Sequence, residues 1–178
     1  EDVLYIKDKT TFASCGDDNK WHGNLSTIKH SEMYKVNASN TVVLDVIGAP
    51  VNLIDNEISI DKGWNWIGYP VAENLPINIA LAGLDAEKND VIKWRTGQAQ
   101  YNDDINPNTG EIHGWTGSLL TLEAGQGYKY KSNKSTYFTY STNVEGAKYA
   151  NENITTDNNY WVPQVSQYAN NMTITAML

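Results

Sequence analysis

The chain carries one stretch twice. Residues 114–140 read GWTGSLLTLEAGQGYKYKSNKSTYFTY, and a shift of 94 positions lays them over residues 20–46, KWHGNLSTIKHSEMYKVNASNTVVLDV. Trp21 then meets Trp115, Gly23 meets Gly117, Leu25 meets Leu119, Thr27 meets Thr121, Tyr34 meets Tyr128 and Lys35 meets Lys129. An internal repeat constrains architecture strongly and chemistry weakly. A shorter match precedes it at a shift of 86, which brings Ile6-Lys7 onto Ile92-Lys93, Thr10 onto Thr96 and Ala13 onto Ala99. The shift grows by eight because YNDDINPNTGEIHGW stands where the first copy has CGDDNKW. Asn-Pro-Asn-Thr-Gly is turn chemistry, so the extra residues belong to a longer hairpin loop.

Strands are the elements these residues favour. Six Trp and eleven Tyr stand against two Phe; Tyr, Trp and Thr suit strands, and Asn and Gly suit the turns between them. The segment ISIDKGWNWIGY is a strand broken at Asp61-Lys62-Gly63, with Trp64 and Trp66 on one face. Pro76 followed by INIALAGL predicts one short helix with Gly83 near its C-terminal end. YKYKS alternates strictly and puts Tyr128 and Tyr130 on one face; with STYFTY after Asn133-Lys134 it reads as a hairpin. MYKVNASNTVVLDV reads the same way in the first copy. The fold class expected is mainly β, with one short helix per repeat and two tandem related units, the first truncated at its N-terminus. The divisions are residues 1–52 for the incomplete first repeat, 53–143 for the second, and 144–178 for a linker and terminal strand. That last strand, NMTITAML, either completes the first repeat or opens a further domain.

Thirteen basic and 21 acidic residues leave a net charge of −8. Such a field repels polyanions unless a local basic patch exists, so nucleic acid is not an expected partner. Lys129, Lys131 and Lys134 form the dense basic run of the sequence. The single Cys15 has no partner for an internal disulfide and suits a small buried hydrophobe. No apolar run reaches membrane-spanning length and EDVLYIKDK is not a signal peptide, so no membrane insertion is expected and the chain reads as a piece of something longer.

His22, His30 and His113 have no metal-ligand spacing. No nucleophile elbow, phosphate loop or dinucleotide fingerprint is present, and no carboxylate pair is singled out. The loop bearing Asp103, Asp104, Asn106 and Asn108 places side-chain oxygens at alternate positions, as the start of a calcium loop does. Its glycine comes one place late and its distal Glu is absent, and an Asx-rich hairpin turn without metal explains the same residues. No other cofactor is expected. The aromatics offer a ligand platform: Trp64, Trp66, Trp94, Tyr128 and Tyr130 to stack on sugar faces, with Gln98 beside them to bond hydroxyls. Trp94 alternates with Lys93 and Arg95 and is the first choice for stacking. Trp21 and Trp115, as equivalent positions of a repeat, are expected in the core.

Through GWNWIGYP, IKWRTGQAQY, GWTGSL, LEAGQGYKYKS and YFTY, residues 58–140 resemble a tandem repeat of large secreted or cell-surface proteins of gut and oral Gram-negative anaerobes. Residues 4–46 resemble it more loosely, and WVPQVSQYANNMTITAML looks like the first strands of an adhesin-type β-sandwich. The resemblance implies an extracellular location and supplies no catalytic residues. The expected function is a non-catalytic binding or adhesion module, carbohydrate-binding through exposed aromatics; the alternative is a structural spacer with no ligand of its own. Expected partners are a glycan or protein surface and neighbouring domains of the same polypeptide. The chain is expected to be a monomer or a strand-swapped dimer.

Overall fold

The computed structural model describes residues 3–39, 53, 56–140 and 172–173. In chain order the strands are β1 (Val3–Lys7), β2 (Phe12–Cys15), β3 (Trp21–Gly23), β4 (Thr27–Ile28), β5 (Lys35–Ala38), β6 (Ile58–Ile60), β7 (Gly63–Gly68) and β8 (Leu75–Pro76). A one-turn helix α1 (Ile77–Ala80) follows, then β9 (Val91–Lys93), β10 (Gln98–Ile105), β11 (Ile112–Gly117), β12 (Thr121–Leu122), β13 (Gly127–Ser132), β14 (Thr136–Phe138) and β15 (Met172–Thr173). The fold is mostly β, as the composition led one to expect.

Two sheets dominate: four strands in the order β3-β2-β1-β5, and five in the order β11-β10-β9-β13-β7. Under the shifts of 86 and 94, their neighbours and registers coincide. Ile6 faces Ala13 as Ile92 faces Ala99; Ala13 faces Gly23 as Ala99 faces Gly117; Ile6 faces Val36 as Ile92 faces Tyr130. The details coincide too. The Lys29 amide donates to the Tyr34 hydroxyl oxygen at 2.9 Å, and the Glu123 amide to that of Tyr128 at 2.7 Å. Gly23 and Gly117 have φ of 141° and 151°, and a Cβ on either would lie 2.1 or 2.2 Å from a carbonyl oxygen of the adjacent strand. Only glycine fits that approach.

The second sheet has a fuller cover than the first among the described residues. Over its inner face lie α1, the β8–β12 pair and the β6–β14 pair, enclosing 19 buried residues from Ile58 to Tyr140. Asn78 on α1 fixes the helix to β11: its amide donates to the Trp115 carbonyl at 3.2 Å, and its oxygen accepts from the Trp115 amide at 2.7 Å. Tyrosine rings meet edge to face, Tyr69 with Tyr128 and with Tyr140, and Tyr130 with Trp115. Burial pushes the Tyr69 and Tyr130 phenols well above their ordinary value and Tyr128 up to about 12. Asp90, fully buried, accepts from the Tyr130 hydroxyl and from the amides of Glu87 at 3.0 Å and Asn133 at 2.8 Å.

Several local expectations need correction or trimming. β13 and β14 are not a hairpin: β13 has β7 on one side and β9 on the other, so β14 crosses over to pair with β6. Both edges of β13 were already filled. The helix is shorter than INIALAGL suggests and ends at Ala80, before Gly83. The break at Asp61-Lys62-Gly63 is latched by Asn65, whose side chain bonds the Asp61 amide and the carbonyls of Asp61 and Gly63. The long loop is the tip of the β10–β11 hairpin, as read. β15 pairs with β4, Met172 facing Ile28, as β8 pairs with β12, Leu75 facing Leu122. The remainder of the tail, and VVLDV in the first copy, lie outside the described residues.

The two sheets meet at the free side of β7. Glu32 forms an antiparallel bridge with Ile67, the Gly68 amide donates to the Ser31 carbonyl at 3.0 Å, and the Met33 amide to that of Trp66 at 3.3 Å. A Cβ at Gly68 would lie 2.3 Å from the His30 carbonyl oxygen, and one at Gly127 2.1 Å from Met33 Cγ. Both glycines permit this close approach.

Candidate functional site, the outer face of the second sheet

The outer face of the second sheet is open. Strand alternation sends Asn65, Ile67, Tyr128, Tyr130, Ile92 and Ala99 inward, and the residues between them outward. Register then lines the outward side chains into two rows, because directly opposed residues share a face. One row is Trp66, Lys129, Lys93 and Gln98; the other is Trp64, Lys131, Val91, Gln100 and Thr116. Trp64 is 40% exposed, and Trp66 stands about 7 Å further along the strand.

Lysines surround these rings. Lys129, Lys35 and Lys7 place their ammonium groups 5.1, 5.3 and 5.7 Å from the Trp66 ring centroid, and Lys93 lies 5.5 Å from that of Trp64. Each such contact contributes about 0.5–1 kcal/mol at an exposed site. Lys7 and Lys35 come from the first sheet, carried there by the junction at β7. Among the described residues the ion pairs involve Lys29, Lys88, Lys134 and His22, so these four lysines and Lys131 have no carboxylate within 4.0 Å. Lys134, part of the basic run in the sequence, is turned to Asp85 and Glu87 instead.

The sequence-derived candidates therefore separate. Trp64, Trp66 and Gln98 share the outer face. Tyr128 and Tyr130 are 1% and 0% exposed and belong to the core, so neither ring is offered to a ligand. Trp94 is half-buried against the core. It sits in the β9–β10 turn, its amide bonded to the Gly97 carbonyl, where the alternation with Lys93 and Arg95 no longer holds. Trp115 is buried and Trp21 packs against the smaller core. Lys7, Lys35 and Lys93 were missed: the first two have no local signal, because only the packing of one sheet on the other brings them to Trp66.

Several oxygens of the long loop have partners within the protein. The Asn106 side chain accepts from the Asn108 amide at 2.9 Å, and the Asn106 carbonyl from the amides of Thr109 and Gly110. Asp104 pairs with Lys88, whose ammonium lies 3.9 Å from Asp103. The Lys88 ammonium holds the Asp104 carboxyl below its ordinary value. This is an Asx turn with a charged clasp. Among the described residues no three His, Cys, Asp or Glu side chains are gathered as metal ligands. No helix there is long and apolar enough to cross a membrane. Comparison with family models, curated proteins and solved structures finds no match.

Proposed function

We propose that this chain is a non-catalytic binding or adhesion module of an extracellular surface protein. Two related units build it, and it takes carbohydrate on the outer face of the second sheet. The observation that carries the reading is the pair Trp64 and Trp66 on one strand face, Trp64 exposed and Trp66 half-buried among lysines, with Gln98 and Gln100 across the sheet. Flat rings offer apolar area to the faces of sugars, and the amides bond hydroxyls. The non-catalytic part is supported by the carboxylates already employed in the fold, Asp90 under Tyr130 and Asp8 in the β1–β2 turn. The extracellular setting is supported by the likeness to surface-protein repeats, and the paired units by the equal registers of the two sheets.

A glycan array, followed by gel retardation with the polysaccharides it identifies, tests this. Trp64→Ala and Trp66→Ala each weaken binding about tenfold or more if the rings stack on sugar, as truncating an aromatic anchor of a binding site does. Glycan binding untouched by either substitution places the ligand elsewhere. The second reading, a spacer without a ligand, draws support from the backbone bonds of residues 31–33 to β7, which join the two sheets stiffly. Binding to no glycan favours it.

A further inference from the structure

We infer that the ligand of this face is an acidic polysaccharide, an inference that rests on the glycan reading above and names the class of sugar. The chain is acidic, with a net charge of −8. Yet Lys7, Lys35, Lys93, Lys129 and Lys131, five of its 13 basic residues, gather around two neighbouring tryptophans. Three ammonium groups within 5.7 Å of the centre of one ring repel each other. Among the described residues Lys29, Lys88 and Lys134 have carboxylates beside them, and none of these five gathered lysines does. An incoming anion relieves the repulsion among them.

The rings and amides select a sugar among anions. A uronic acid or a sulfated sugar lays an apolar ring face on Trp64 or Trp66 and turns its anionic group to Lys93, Lys129 or Lys131. Its hydroxyls meet Gln98 and Gln100 on the adjacent strand. A duplex nucleic acid keeps its bases stacked inside and turns phosphates outward, so it has no apolar ring face to lay on Trp64 or Trp66. A lipid surface is engaged by apolar side chains that insert between headgroups, and the outer rows hold one aliphatic residue, Val91, at their centre.

Gel retardation of the whole chain with polygalacturonate, dextran sulfate, neutral dextran and a short DNA duplex tests this. The variants are Lys93→Gln/Lys129→Gln/Lys131→Gln together, Trp64→Ala, and Lys20→Gln as a control, each checked for folding by near-ultraviolet circular dichroism. We expect polygalacturonate to retard the wild type and the Lys20→Gln control. The triple substitution weakens this about tenfold or more, as does raising salt from about 50 mM to about 500 mM. Retardation by dextran sulfate alone among the acidic probes supports the inference with sulfate as the anion. If Trp64→Ala abolishes glycan binding while the triple variant binds as wild type, the acidic inference falls and the glycan reading stands. Binding to no polysaccharide on this panel or on the array overturns both. Duplex DNA bound as tightly as polygalacturonate, with the same loss in the triple variant, overturns the choice of a sugar.

Discussion

The two sheets share register, turn geometry and glycine positions, and they differ in what covers them. Around β9 lie 19 buried residues; around β1, among the described residues, the buried cluster is Ile6, Ala13, Leu25 and Ile28. Equivalent positions consequently have opposite fates. Tyr130 is fully buried and Val36, its counterpart, is 51% exposed; Asp90 is fully buried and Leu4, its counterpart, is 47% exposed. The ladder of backbone bonds is therefore independent of what fills the inner face. A strand framework that keeps its register specifies where side chains point. The cover decides which of them contribute stability.

The comparison is broken most severely at its buried tyrosine. Tyr130→Ala should destabilise by about 3–5 kcal/mol, as large aromatic truncations in cores do, and Val36→Ala by no more than about 0.5 kcal/mol. Urea unfolding of both variants checks this, and equal losses would mean that the first sheet has a core as complete as the second. Next in size is Asp90→Ala, which strips the buried Tyr130 hydroxyl and the amides of Glu87 and Asn133 of their acceptor and should cost about 3 kcal/mol. Leu4→Ala, its partner substitution, should be nearly silent in the same assay. Gly68→Ala should cost about 1–3 kcal/mol by overpacking against the His30 carbonyl. Hydrogen exchange at the Met33 and Gly68 amides should quicken in it, while that at Ile92 and Tyr130 should not.

The smallest expected effect separates the sheets by pH. Burial alone would raise the Asp8 carboxyl. The hydrogen bonds from the side chain and amide of Thr11 and from Thr10 outweigh it and hold the carboxyl below its usual 3.8. A lowered folded value means that its stabilisation is present above 3.8 and is lost as pH falls through that lower value. Asp8→Ala should therefore cost about 1 kcal/mol near neutral pH, as the loss of a capping oxygen does, and nothing in strong acid. At the other end, the buried phenols are raised. Their contribution is present below about pH 10 and lost as pH climbs. Tyr34 in the first sheet shares that behaviour with Tyr69, Tyr128 and Tyr130 in the second. Ultraviolet titration should show these four ionising only as the protein unfolds; early titration of Tyr128 would contradict its burial.

Strand content, the break before Trp64 and the long β10–β11 hairpin were legible because they are local: alternation, turn residues and Gly63 at a φ of 102° are properties of neighbours in sequence. The crossing of β14 to β6 was not, since it depends on β13 having two partners already. The site divides the same way. The shared face of Trp64 and Trp66 follows from period two. The burial of Tyr128 and Tyr130 depends on residues distant in sequence, Tyr69 and Trp115 among them, and the lysines at Trp66 depend on contact between distant segments. Trp94 misled because a turn interrupts the period.

The bridge that Glu32 makes with Ile67 has a bearing on solubility. An edge strand whose amides and carbonyls face only water is the surface along which sheets of different molecules join. Residues 31–33 occupy part of the β7 edge with a short, bent segment that ends in the buried Met33. Residues 31–33 thus cover part of an edge along which other strands could join. Residues 53–143 expressed without the first unit would present β7 bare and should self-associate as their concentration rises.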